Sequence, residues 1–158
     1  MAGSMTTNGT EELAEMLGRL GREAPQIASQ ALFEGARVVA DEYSAAVESI
    51  ITAPRGRGED REHARFPTPE EKEALKNSGI ARFNKNGSEV NTIVGEAEGY
   101  TTVRGNRKAI KLLARSINSG THFMHRQPVF RRAASQSRGK AQDAMVAKAD
   151  ELINQIVK

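Results

Sequence analysis

Residues 117–134 read Ile-Asn-Ser-Gly-Thr-His-Phe-Met-His-Arg-Gln-Pro-Val-Phe-Arg-Arg-Ala-Ala, and this stretch decides the fold. Asn118-Ser119-Gly120-Thr121 breaks any helix that precedes it, and Gly120 permits a sharp turn with positive φ. Thr121 has the side chain to bond backbone groups that the turn frees. Pro128 suits the first position of a new helix, since its missing N–H costs nothing there. Phe130 is then placed to anchor that helix in the core. The motif Gly120, Thr121, Pro128 and Phe130 therefore reads as a fold-defining corner between two helices.

Outward from the corner, Asn106–Ile117 reads as a helix with Ile110, Leu113 and Ile117 on one face. Downstream, a long helix runs from Pro128 to about Val157, with Phe130, Ala133, Ala134, Ala141, Met145, Leu152 and Ile156 as its apolar stripe. Upstream, Ile80–Asn84 and Glu89–Gly95 read as strands about Asn86-Gly87, the preferred pair for a two-residue type I′ turn. Tyr100–Val103 is a candidate third strand. Further back, Thr68-Pro69-x-Glu71 carries a capping box and a proline at the first helical position, so a short helix to about Asn77 follows, with Gly79 past its end.

The N-terminal third is helical by its period. Thr10 is a plausible cap for a segment containing Leu13, Leu17 and Leu20, interrupted at Gly21 and Pro25. A second helix from about Pro25 to Ile51 carries Ile27, Leu32, Ala36, Val39, Tyr43, Val47 and Ile50, and ends before Pro54. The fold expected is α+β. A long N-terminal helix and a C-terminal helix pack on a small antiparallel sheet, formed by hairpin 80–95 plus the third strand. Residues 1–9 are expected to be disordered or cloning-derived, and 10–158 to form a single domain with a mobile charged loop at about 55–66.

The chain has 158 residues, of which 38% are hydrophobic and only 4% aromatic, so its core must be built from small aliphatic side chains. The absence of cysteine excludes a disulfide framework, thiolate metal sites and cysteine nucleophiles. No apolar run approaches the roughly 18 residues of a membrane span, so no membrane partner is expected. The formal net charge of +3 hides a segregation. Residues 104–140 hold ten Lys or Arg and no Asp or Glu, so that block is +10 and the remainder −7. An acidic neighbour follows: DNA, another protein, or the acidic part of a second copy. The residues expected to face it are Arg107, Lys111, Arg115, Arg126, Arg131 and Arg132, the first three spaced by four along one helix face.

Motifs for chemistry are missing. Gly56-Arg57-Gly58 lacks the remainder of a phosphate loop, and no nucleophile elbow occurs. His122 and His125 share a helical spacing but have no carboxylate nearby, a poor metal site. Glu96 and Glu98 share a strand face with no base or nucleophile adjacent. No catalytic residue, metal or cofactor is expected, and the chain is not read as an enzyme.

The Gly120-Thr121 pair, followed by Arg126-Gln127-Pro128-Val129-Phe130-Arg131-Arg132-Ala133-Ala134, resembles the signature of the small neck or tail-component proteins of long-tailed bacteriophages and prophages. The element order is also similar, from a long helix ending at Ala53-Pro54, through Lys76-Asn77-Ser78-Gly79-Ile80, into a hairpin and Val94-Gly95. The family's Thr-Gly after Ala-Pro is replaced here by Arg55-Gly56-Arg57-Gly58. The resemblance covers about residues 25–157. It implies a virion structural protein of the head–tail junction, acting in tail completion and not in catalysis. It further implies a homo-oligomeric ring, a hexamer by tail symmetry, in contact with other connector and tail proteins and open to non-specific contact with packaged DNA. Its location would be the virion, and the host cytoplasm during assembly. The alternative from the charge block alone is a non-specific basic nucleic-acid-binding protein. Phe123 and Phe130 are too few aromatics for a single-strand stacking platform.

Overall fold

A computed structural model of the chain describes residues 8–53, 64–79, 83–85, 92–94, 98–103 and 106–157. The elements in order are helix α1 (Asn8–Glu48), helix α2 (Pro69–Asn77), strands β1 (Phe83–Lys85), β2 (Thr92–Val94), β3 (Tyr100–Val103) and β4 (Asn106–Ala109), then helices α3 (Ile110–Ser119) and α4 (Val129–Val157). The architecture is α+β and mostly helical.

α1 is one helix of 41 residues, not two segments, and it contains Pro25. At 1.5 Å per residue it is about 60 Å long. Pro25 removes one backbone hydrogen bond, to the carbonyl of Gly21. Both residues are exposed, so water can serve that carbonyl. Leu13, Leu17, Leu20, Ala24, Ile27 and Ala31 alternate steps of four and three residues, so the apolar phase crosses the proline unbroken. The helix stops at Glu48, three residues short of the expected end, and starts at Asn8 rather than after a cap at Thr10.

α4 lies antiparallel to α1. Met145 fills the space in front of Gly35, where an added Cβ would sit 2.1 Å from its Cε, and Lys140 pairs with Glu42. Small residues make this close approach possible: Ala31, Ala36 and Ala40 of α1 and Ala133 and Ala141 of α4 are all buried. Tyr43 stacks on Phe130 with ring centroids 6.0 Å apart. Ala134, expected in the α4 stripe, is exposed, and Ser137 is buried in its stead. One core cluster joins Ala46 and Val47 of α1 and Ile50 just past its end to Leu75 of α2, to Ile110, Leu113 and Ile117 of α3, and to Met124 and Phe130.

The strands form two separate two-stranded antiparallel sheets, so β3 is not a third strand of the first hairpin. In the first, Phe83, Asn84 and Lys85 pair with Val94, Ile93 and Thr92. That register is symmetric about positions 88 and 89, offset from Asn86-Gly87, which lies outside the described residues. In the second, Tyr100–Val103 pairs with Asn106–Ala109. The helix expected from Asn106 therefore begins at Ile110.

α2 follows its sequence signals closely. Thr68 accepts from the Glu71 N–H, Glu71 Oε2 accepts from the Thr68 N–H at 2.9 Å, and Gly79 follows with φ 85°. Glu71 is 1% exposed, and Arg65 donates to both its oxygens, at 2.6 and 2.7 Å. Those hydrogen bonds hold the Arg65 guanidinium above its ordinary pKa. Arg65 and Phe66 belong to the stretch expected to be a mobile loop, yet both are fixed. The Arg65 backbone bridges to residues 123–125, and Phe66 stacks on His125 at 4.6 Å. Positions 55–63 of that loop lie outside the described residues. α2 also caps α1, whose last turn has no basic residue of its own. Lys72 Nζ donates to the carbonyls of Glu48 at 2.7 Å and Ile50 at 3.4 Å, where the helix dipole favours a cation. Lys76 holds the Glu48 carboxylate at 2.7 Å and keeps its pKa below the usual range.

Two outcomes follow. Glu71→Gln leaves Arg65 without its counter-charge. Loss of one partner of a buried pair costs about 3–5 kcal/mol, and the part-exposure of Arg65 reduces this to roughly 2–3 kcal/mol; chemical denaturation of the variant measures it. The Glu48 pKa is depressed on folding, so the Glu48–Lys76 pair contributes above the unfolded carboxylate pKa and is lost as pH falls through the folded one. Lys76→Met should make the acid limb of a stability–pH profile shallower.

Candidate interaction surface

The corner is built from backbone bonds that bring three segments together. Gly120 adopts φ 76°, and an added Cβ would lie 2.9 Å from Arg126 Cβ and 3.3 Å from its Cα. Only glycine meets both conditions. The Gly120 N–H closes α3 on the Ser116 carbonyl at 2.9 Å. Thr121 and Met124 exchange two backbone hydrogen bonds, and the Phe123 N–H donates to Thr121 Oγ1 at 3.2 Å. Pro128 immediately precedes α4, and its carbonyl accepts from the Arg132 N–H at 3.1 Å. Asn118 Oδ1 accepts from the Arg131 N–H at 3.1 Å, which ties the end of α3 to the first turn of α4. Phe130 is buried against Tyr43.

Gln127 carries the corner's longest reach, and sequence reasoning missed it. Its amide accepts from the Ile51 N–H at 2.8 Å and donates to the Ile51 carbonyl at 3.0 Å, as a strand partner would. Its own N–H donates to the Ile117 carbonyl at 2.7 Å. Gln127 is 7% exposed, so it clamps the chain leaving α1 to the end of α3. Its position beside Pro128 was the available signal; the partner 76 residues away has none.

His122 and His125 lie in the corner turn, not on a shared helix face. His122 meets Phe123 edge-on, and His125 stacks on Phe66. Among the described residues no group of three or more His, Asp or Glu is placed to hold a metal. Glu98 is exposed near the β3 end, and Glu96 lies outside the described residues.

The six basic residues expected to face a partner are all exposed. Lys111 and Arg115 stand one turn apart on the outer face of α3, with Leu112 between them 56% exposed. Arg107 does not share that helix. It sits on β4, with its guanidinium 4.0 Å above the exposed Tyr100 ring, a diagonal cross-strand contact. The expected row of three therefore reduces to a helical pair with Arg107 on the adjoining hairpin, because residues 106–109 pair as a strand. Arg126 is in the corner, and Arg131 and Arg132 are in the first turn of α4. Among the described residues none of these six forms an ion pair. Of the wider block, Lys140 does, with Glu42.

Their placement runs against helix electrostatics. Neither α3 nor α4 has an acidic residue in its first turn, and both carry cations there. A cation at a helix N-terminus opposes the dipole, at a cost of about 0.3–1 kcal/mol. Among the described residues no carboxylate pairs with the cations of these two first turns to offset that cost.

No family model matches the chain, and no curated protein or solved structure matches it. Gly120→Ala tests the corner directly. Backbone strain of about 1–3 kcal/mol at φ 76° and ψ 160°, added to the steric conflict with Arg126, should lower the thermal midpoint by several degrees. Gly120→Asn should lose about as much, because φ 76° with ψ 160° is a region that Asn favours no more than Ala does.

Proposed function

We propose that this protein is a virion structural subunit of the head–tail junction in a long-tailed phage or prophage, acting by assembly in neck formation and tail completion. Its setting is the virion, with the host cytoplasm as the place of assembly. Two supports carry the reading. The corner sequence and element order resemble the neck and tail-component family. The observation that carries most is the set of exposed cations at the starts of α3 and α4, which the fold itself disfavours. A closed ring of like subunits, a hexamer to match tail symmetry, gives each subunit the same pair of complementary faces. Arg126, Arg131 and Arg132 then face an acidic neighbour along the axis, a connector or tail protein or DNA in the lumen.

The same cations suit phosphates without sequence preference, the alternative of a non-specific nucleic-acid-binding protein. That alternative predicts a DNA complex whose log affinity falls by several units per log unit of salt.

The test is the double reversal Arg131→Glu with Arg132→Glu in the phage genome. Both residues are exposed and carboxylates suit the first turn of a helix, so the purified variant should keep its circular dichroism and melt no lower than the wild type. Filled heads without tails, with a large fall in infectious yield, are the expected result. Normal yield contradicts the reading.

A further inference from the structure

The seam between α1 and α4 continues past the end of α4. Met145 meets Gly35, and the groove further along is lined by Ile27 and Glu23 from α1 with Leu152 and Ile156 from α4. Antiparallel pairing at this register brings Val157 opposite about Glu23. Arg19 of α1 still lines that groove, and the register leaves the turns of α1 before it without a described part of α4 opposite them. Yet the four–three spacing goes on through Leu20, Leu17 and Leu13, in phase with the Ile27 and Ala31 that α4 covers. Leu13 is 50% and Leu17 56% exposed. The arm is therefore half of a helix–helix seam. Exposed Glu11, Glu12 and Glu15 surround it, and residues 8–20 sum to −2.

We propose that this arm docks on the outer face of α3 in a second copy of the chain, with Leu13 and Leu17 against Leu112 and the arm's carboxylates against Lys111 and Arg115. Charge selects this occupant. Two arms paired with each other would set acid against acid. The hairpin–α3 segment 106–115 holds four cations and no acid, and its exposed apolar residue lies on a helix, as ridge-into-groove packing requires. The contact joins two different surfaces of the chain, so head-to-tail repetition builds a ring or a filament, whereas reciprocal exchange of arms would close a dimer. It deepens the proposed function, resting on it for the ring, but it concerns α3, whereas the axial partner concerns Arg131 and Arg132.

Sedimentation velocity of the full chain at low and high salt tests it, with two variants. One reverses the arm (Glu12→Lys, Glu15→Lys). The other reverses the patch (Lys111→Glu, Arg115→Glu). All four side chains are exposed, and circular dichroism checks that each variant is folded. The wild-type chain should assemble at low salt and dissociate as salt rises. Each variant alone should assemble at least about tenfold more weakly. An equimolar mixture of the two should recover assembly, because each reversed surface meets its complement. A wild-type chain that stays monomeric, an arm variant that assembles at full strength, or a mixture that fails to recover would each overturn this contact. Full-strength assembly of the arm variant leaves the head–tail reading standing; that reading fails separately, by normal phage yield from the Arg131/Arg132 reversal.

Discussion

Glu71 lies at the base of α2 with both carboxylate oxygens held by Arg65 and one of them also by the Thr68 N–H. The arrangement joins three distant stretches of chain. Glu71 completes the cap of α2, and α2 in turn supplies Lys72 to the end of α1. Arg65 carries the same carboxylate across to the corner, since its backbone donates to the Phe123 carbonyl and accepts from the His125 N–H. A buried ion pair of this kind adds little net stability over an apolar alternative. What it supplies is geometry: the start of α2 and the turn before α4 can hold this charge in few other relative positions. Gln127 repeats the logic without charge, by pairing its amide with the backbone of Ile51.

Local signals were legible in the sequence where a residue's role depends on its near neighbours. The capping box at Thr68 and Glu71, the glycines after α2 and α3, and the start of α4 at Pro128 all depend on contacts within a few residues. Where partners are remote, the sequence misleads. Arg65 stands in a run of charges that reads as loop, and nothing nearby announces a carboxylate buried six residues on. Pro25 reads as a boundary because a proline costs a helix about 3 kcal/mol. The apolar spacing on either side, Leu13 to Ala24 and then Ile27 and Ala31, keeps a single phase, and the helix runs on to pack against α4. Asn106–Ala109 reads as the first turn of α3, but pairing with the β-branched run Thr101–Val103 draws it into a strand. That error moved Arg107 off the face it was expected to share with Lys111 and Arg115.

The candidate surface was legible as composition and not as shape. The segregation of ten cations into residues 104–140 is plain in the sequence. That three of them, Lys111, Arg131 and Arg132, stand in first turns where helix dipoles oppose them follows only once the starts of α3 and α4 are located. That conflict at the surface is what the proposed anionic partner would relieve. The long arm of α1 has the converse character, with leucines in register for a partner and carboxylates about them. One subunit thus presents two faces that match each other better than either matches itself, which suits repeated assembly.

The most direct test of that account is the sequence of the DNA on either side of the gene. Virion structural genes are expected there, with portal and head-closure genes on one side and the major tail genes on the other. Neighbours that serve metabolism or chromosome maintenance would contradict the assignment, and leave the basic face as the surface of a nucleic-acid-binding protein.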